Sequence, residues 1–248
     1  MKVAITEQIY PNSKTIDNLS LKQAIELMVF EHKKGADILN ELIPFLELTV
    51  NQIVKQIKLS KLSRIIYVGA GTSGRIGVQD GIELYPTFGW PRERLVFLIA
   101  GGIEALYKPI ENAEDDEIQA EKIFLKNKIN NFDIVFGLAA SGNTPFTCKI
   151  MELSKKVNAL TISISNNPYG KILDYGEIKL ILNTKQELLA GSTRLKAGTS
   201  QKICLNIIST MVMTKLGFVK DGKMSNLVAT NKKLKRREKL IQNEIKNK

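Results

Sequence analysis

The sequence predicts an α/β fold: a central parallel sheet flanked by helices, preceded by a helical N-terminal segment. Three observations predict it. From residue 64 onward, short β-rich apolar runs alternate with helix-like stretches, the pattern of strand–helix–strand crossovers. Runs such as Leu95–Ala100 are apolar without alternation, as expected of strands buried on both faces. Two runs end in glycine- and hydroxyl-rich turns that each open a helix-like stretch, Gly69-Ala70-Gly71-Thr72-Ser73-Gly74-Arg75 and Ala140-Ser141-Gly142-Asn143-Thr144-Pro145.

Taken in order, residues 1–19 are polar and read as an irregular arm. Ser20 with Gln23 fits a capping box, and Leu21, Ala24, Ile25, Met28 and Val29 recur at helical spacing. Ile38, Leu39, Leu42 and Ile43 mark a second helical region, interrupted at Pro44 and resumed through Leu46, Val50, Ile53 and Ile57. His32, the only histidine, falls between these regions and reads as a surface residue. Strands are expected at Ile65–Val68, Leu95–Ala100, Asp133–Ala139, Ala159–Ile164 and Glu177–Leu182. Helices are expected after Gly74, around Ile103, Leu106 and Ile110, from Pro145 (suited to a first helical position), and over Ser192–Leu216.

The 248 residues suffice for a full core, and no apolar run approaches the roughly 18–20 residues that span a bilayer. The N-terminus turns polar before a signal-peptide core could form, so a cytoplasmic protein without membrane partners is expected. Cys148 and Cys204 are far apart and in no ligand spacing, which argues against disulfides and a metal site. The net charge of +11 raises nucleic-acid binding. Residues 231–248 hold eight basic and two acidic residues and so carry +6 of it. With no aromatics interleaved there, a solvated basic helix or tail is the better reading.

The two turns carry the chemistry. A helix start presents unpaired N–H groups and a positive dipole end, glycine admits a ligand to the main chain, and hydroxyls add uncharged donors. Gly69-x-Gly71-x-x-Gly74 also matches the dinucleotide fingerprint, which wants an acid at the end of the second strand. That strand ends Leu98-Ile99-Ala100-Gly101-Gly102 without one, and Glu104 lies beyond the glycines. A phosphorylated small molecule fits better than a nicotinamide cofactor. For acid–base work, Glu83 lies among apolar neighbours before Pro86, and partial burial with a raised pKa is expected. Any of the four acids in Glu114-Asp115-Asp116-Glu117 could serve, and such a cluster often forms a solvated face.

The first turn, together with Pro86-Thr87-Phe88-Gly89, Ala113-Glu114-Asp115-Asp116 and Ser192-Thr193-Arg194-Leu195-Lys196-Ala197-Gly198-Thr199, resembles the N-acetylmuramic acid 6-phosphate etherase family. Thr6-Glu7, Asn166-Asn167-Pro168 and Ala229-Thr230-Asn231 add to the resemblance, which runs from Thr6 to about Ile241. It implies a sugar-isomerase (SIS) three-layer fold over 64–230, with 1–63 packing on the core or a dimer partner. It further implies a lyase acting on a phosphorylated amino sugar in cell-wall recycling, without metal or organic cofactor, as a homodimer. Glu83 would protonate the departing lactate, and Glu114 would be the base at C2. Thr72, Ser73, Ser141, Asn143, Thr144, Ser192 and Lys196 would bind substrate, though Lys196 reads equally as helix-start packing.

Three departures stand out. Leu84-Tyr85-Pro86-Thr87 replaces the usual Cys-Pro-Pro-Thr, and Asn143 replaces the arginine of Ser-Gly-Arg-Thr-Pro. The small helical C-terminal segment usual in the family is expected to be missing. A phosphosugar-sensing regulator is the alternative function.

Overall fold

Five parallel strands form the centre: β1 (Ile65–Gly69), β2 (Leu95–Ile99), β3 (Ile134–Ala139), β4 (Leu160–Ser165) and β5 (Ile178–Ile181). Their order is β2-β1-β3-β4-β5. This computed structural model describes residues 4–11, 15–229 and 235–236. The basic tail at 231–248 lies outside them except for Lys235 and Arg236, as do Asn12–Lys14 of the arm.

Strand periodicity splits the core into two layers. On one face Ile65, Tyr67, Phe136, Leu138, Ile162 and Ile164 pack against α2 (Ile43–Leu59), α3 (Gly71–Phe88) and α6 (Lys196–Lys215). On the other, Ile66, Val68 and Val135 pack against α4 (Glu117–Lys126) and α5 (Pro145–Lys156) through Phe124, Phe146, Ile150 and Met151. Tyr67 stacks between Phe97 and Phe136 at 5.9 and 5.4 Å, and its hydroxyl donates to buried Asp80 on α3 at 2.9 Å. Asn206 and Ser209 of α6 donate to the same carboxylate, which joins sheet, α3 and α6. At the amino ends of the strands, Arg64 forks onto buried Asp133 at 2.9 and 2.6 Å.

The N-terminal helices close one side. α1 (Leu21–Asp37) starts at the expected Ser20–Gln23 capping box. It crosses α6 closely enough that a Cβ at Gly35 would lie 3.0 Å from the Lys196 carbonyl oxygen.

Several expectations need correction. The break between the N-terminal helices is the 3₁₀ stretch Ile38–Leu42, which buries Leu39 and Leu42; Pro44 sits in the first turn of α2, where its missing N–H costs nothing. His32 lies inside α1, half-buried, with Nδ1 3.0 Å from Thr199 Oγ1. Around Ile103 there is only the 3₁₀ turn Gly102–Leu106. α6 begins at Lys196, not Ser192, because the Gly198 N–H bonds the Thr193 carbonyl and residues 192–195 form a turn. As an edge strand, β2 is only half-buried over Leu95–Phe97. Its apolar composition reflects the apolar groove beside it. The hairpin Val219–Lys220 with Lys223–Met224 turns at Asp221-Gly222, a dipeptide suited to a tight hairpin turn.

Candidate active site

In an open doubly wound sheet, ligands sit beyond the carboxyl ends of the strands where the strand order reverses. Here β1 leads outward to β2, and the chain then returns to the other side of β1 for β3. The reversal point therefore lies between β1 and β3, and the two glycine turns leave from those neighbouring strands, with Gly69 in register with Leu138. Both turns are held tightly. A Cβ on Gly69 would lie 2.8 Å from the Gly74 Cα, and one on Gly142 would lie 2.5 Å from the Gly170 Cα.

α2 has no side-chain cap either, but it runs straight on from the 3₁₀ stretch Ile38–Leu42; among the other helix starts, the way the N–H groups are satisfied separates the two turns from the rest. Ser20 caps α1, and Asp116 caps α4 by accepting from the Gln119 N–H at 2.7 Å. Buried Glu187 caps α6, accepting from the N–H of Ala197 at 2.8 Å and of Lys196 at 3.3 Å. Burial pushes the Glu187 carboxyl up against those bonds. No side chain caps α3 or α5, the helices that follow the two turns. Their first N–H groups are available to an anion, whereas those of α6 already face a carboxylate.

The expected site residues fall into distinct places. Thr72 and Ser73 lie in the first turn of α3, half-buried and buried. Ser141, Asn143 and Thr144 line the second turn. Ser141 Oγ accepts from the Asn143 N–H at 3.2 Å, and Asn143 Oδ1 accepts from the Lys171 N–H at 3.0 Å. Asn167 donates to the Ser141 carbonyl, and Asn166 with Gln201 and Ser200 ties the end of β4 to α6. The segment after Ser192 and the first turn both pack on Gly198: the Thr193 carbonyl oxygen and Thr72 Cγ2 lie 3.1 and 3.4 Å from where its Cβ would stand.

Lys196 is committed elsewhere. Its ammonium is buried against Glu31 of α1, which also accepts from the Tyr10 hydroxyl and from Lys34. Burial raises the Glu31 carboxyl, but hydrogen bonds from Lys196, Lys34 and Tyr10 outweigh it and hold the group below its ordinary value. Sequence reasoning missed Glu31 and Glu187 because their burial depends on partners distant in the sequence: α6 packs over Glu31, and Glu187 caps the start of α6.

The acidic cluster resolves into separate roles. Asp116 caps α4 and Glu117 occupies its first turn. Glu114, in the 3₁₀ turn Ala113–Asp115, lays Oε1 3.1 Å from the position of a Gly71 Cβ. Gly71 has φ +51°, so glycine serves both the backbone and the overlying carboxylate. Arg75 steadies the approach by donating to the Ala105 carbonyl at 2.9 Å.

Glu83 does not join this group within the chain. Gly77, Gly81 and Leu84 turn inward, and a Cβ on Gly81 would collide with Phe97. Gln79, Ile82 and Glu83 face outward, so the expected partial burial of Glu83 is not found. It lies 12 residues along α3 from Gly71, about 18 Å at 1.5 Å per residue. Burial pushes the Cys148 and Cys204 thiols up to about 11 and about 12, so neither is poised as a nucleophile. Among the described residues, no three His, Cys, Asp or Glu side chains converge to hold a metal, and no helix is long and apolar enough to cross a membrane.

Comparison with known proteins gives this geometry its family. The chain is 42% identical over 236 residues to an N-acetylmuramic acid 6-phosphate etherase of Oceanobacillus iheyensis, covering 95% of this chain and 80% of that one. An etherase of the same name from Deinococcus radiodurans is 40% identical over 238 residues, covering 96% and 77%. The chain belongs to the N-acetylmuramic acid 6-phosphate etherase family. Residues 46–155 of this family member also match the glucokinase regulatory protein N-terminal SIS domain. The fold likeness extends to a solved structure described as a phosphosugar isomerase involved in capsule formation from Bacteroides fragilis, with TM-score 0.62, 18% identity and coverage of 82% and 95%.

Proposed function

We propose that this etherase-family protein cleaves the lactyl ether of N-acetylmuramic acid 6-phosphate, giving N-acetylglucosamine 6-phosphate and D-lactate. The observation that carries the reading is the Glu114 carboxylate over Gly71, beside two uncapped helix starts at the strand-order reversal. A carboxylate that close to the first turn repels a phosphate dianion there. The phosphate therefore goes to the second turn, to Ser141, Asn143, Thr144 and the start of α5. Thr72, Ser73 and Ser192 then hold the sugar body, with C2 under Glu114.

In the open-chain aldehyde, Glu114 takes the C2 proton. The C3–O bond breaks, and lactate departs with a proton from the acid. Water then adds its hydroxyl at C3 and a proton returns to C2, so the net change is ether hydrolysis. Binding energy from the remote phosphate fixes C2 and C3 for these steps.

C2 and C3 are bonded neighbours, so acid and base must converge on one short segment of sugar. Glu83, about 18 Å along α3 from Gly71, meets that need only from a second copy of the chain. Exposed Ile82 and Ile103 beside it, on the apolar groove that also includes Val78, Phe97 and Leu106, support such a homodimer. Lys196 acts through Glu31 to seat the start of α6 and does not touch the phosphate.

Incubation with N-acetylmuramic acid 6-phosphate is expected to release D-lactate and N-acetylglucosamine 6-phosphate in equal amounts. Thermal stabilisation by the phosphosugar without lactate would instead identify a sensing protein. Gly71→Ala is expected to cost about 1–2 kcal/mol in backbone strain, read as a lowered Tm. Because it also displaces Glu114, kcat should fall further than the stability change accounts for.

A further inference from the structure

The Thr6-Glu7 pair of the N-terminal arm has no role in the reaction as described, yet the fold places it on Gly191, the residue before Ser192. The 3₁₀ turn Ile5–Glu7 is laid on the loop that precedes α6. The Thr6 carbonyl accepts from the Gly191 N–H at 2.9 Å, and Gln186 donates to Gln8 at 3.1 Å. Glu7 then crosses above Gly191, with Oε2 2.7 Å from where a Cβ would stand; Gly191 has φ +75°, so both the backbone and the overlying carboxylate call for glycine. Glu7 is exposed, and its carboxylate has no hydrogen-bond or ion-pair partner among the described residues. Ser192 follows directly, and the Thr193 carbonyl oxygen and Thr72 Cγ2 of the first turn both lie beside Gly198, 3.1 and 3.4 Å from where its Cβ would stand.

A fixed, exposed carboxylate with no protein donor is suited to accept hydrogen bonds from a ligand. Resting on the reading of the site given above, we infer that Glu7 is a specificity residue, accepting from the hydroxyl or amide N–H donors of the sugar body. It takes no proton in the reaction.

The test uses the full chain and its Glu7→Gln and Glu7→Ala variants. Binding of N-acetylglucosamine 6-phosphate and of inorganic phosphate is measured by calorimetry, alongside KM and kcat. Loss of a charge-assisted hydrogen bond is expected to weaken phosphosugar binding and raise KM about tenfold, with inorganic phosphate binding unchanged. Equal phosphosugar affinity in all three proteins would overturn the inference. So would a parallel loss of phosphate and phosphosugar binding, which would mean that Glu7 only braces the loop. Failure of the unmodified protein to bind the phosphosugar would instead refute the site reading on which the inference rests.

Discussion

Replacing Glu83 by alanine is expected to lower D-lactate release by about 10²–10⁴-fold, the range of a positioned general acid, while product binding changes little. The side chain faces outward from α3 and supports none of the core, so the variant should fold with an unchanged Tm. Glu114→Gln should show a similar loss of rate, because it removes the proposed base without altering the shape above Gly71. Retained binding separates these effects from damage to the proposed phosphate-binding turn. Unchanged turnover in Glu83→Ala would remove that residue from the mechanism.

Lys196→Met is the second large effect, and it falls on stability. The Lys196 and Glu31 side chains are each 4% exposed, and truncating one partner strands the other charge. Such losses cost about 3–5 kcal/mol; Lys34 and Tyr10 remain on Glu31, so the lower end is expected, read from the urea midpoint. Adding Glu31→Gln should recover part of the loss, since the stranded charge is then gone. The pH dependence has a definite sign. The folded Glu31 pKa lies below its unfolded value, so the pair's contribution is present above the unfolded value and is lost as pH falls through the folded one. The gap between wild type and Lys196→Met should therefore narrow below about pH 4.

The strands and turns were legible because their physics is local. Ile65–Gly69 and Ile134–Ala139 are apolar runs closed by glycines, and their order follows from crossover topology. Pro145 and the Ser20–Gln23 box placed helix starts for the same reason. What periodicity could not convey was long-range. Nothing local distinguishes Glu114 from Asp115 or Asp116; only the approach to Gly71, 43 residues earlier in the sequence, does so. Likewise Lys196 reads as a site cation until Glu31 is brought to it by the crossing of α1 and α6. Glu83 was read from its apolar neighbours, but those neighbours face the sheet while it faces outward.

The most direct measurement is subunit complementation. Glu83→Ala and Glu114→Gln proteins, each inactive alone, are mixed, dissociated and allowed to reassociate. If each site draws Glu114 from one chain and Glu83 from its partner, a mixed dimer carries one intact site, and a random mixture recovers about a quarter of wild-type lactate release. No recovery from a mixture shown to contain mixed dimers would contradict the shared site.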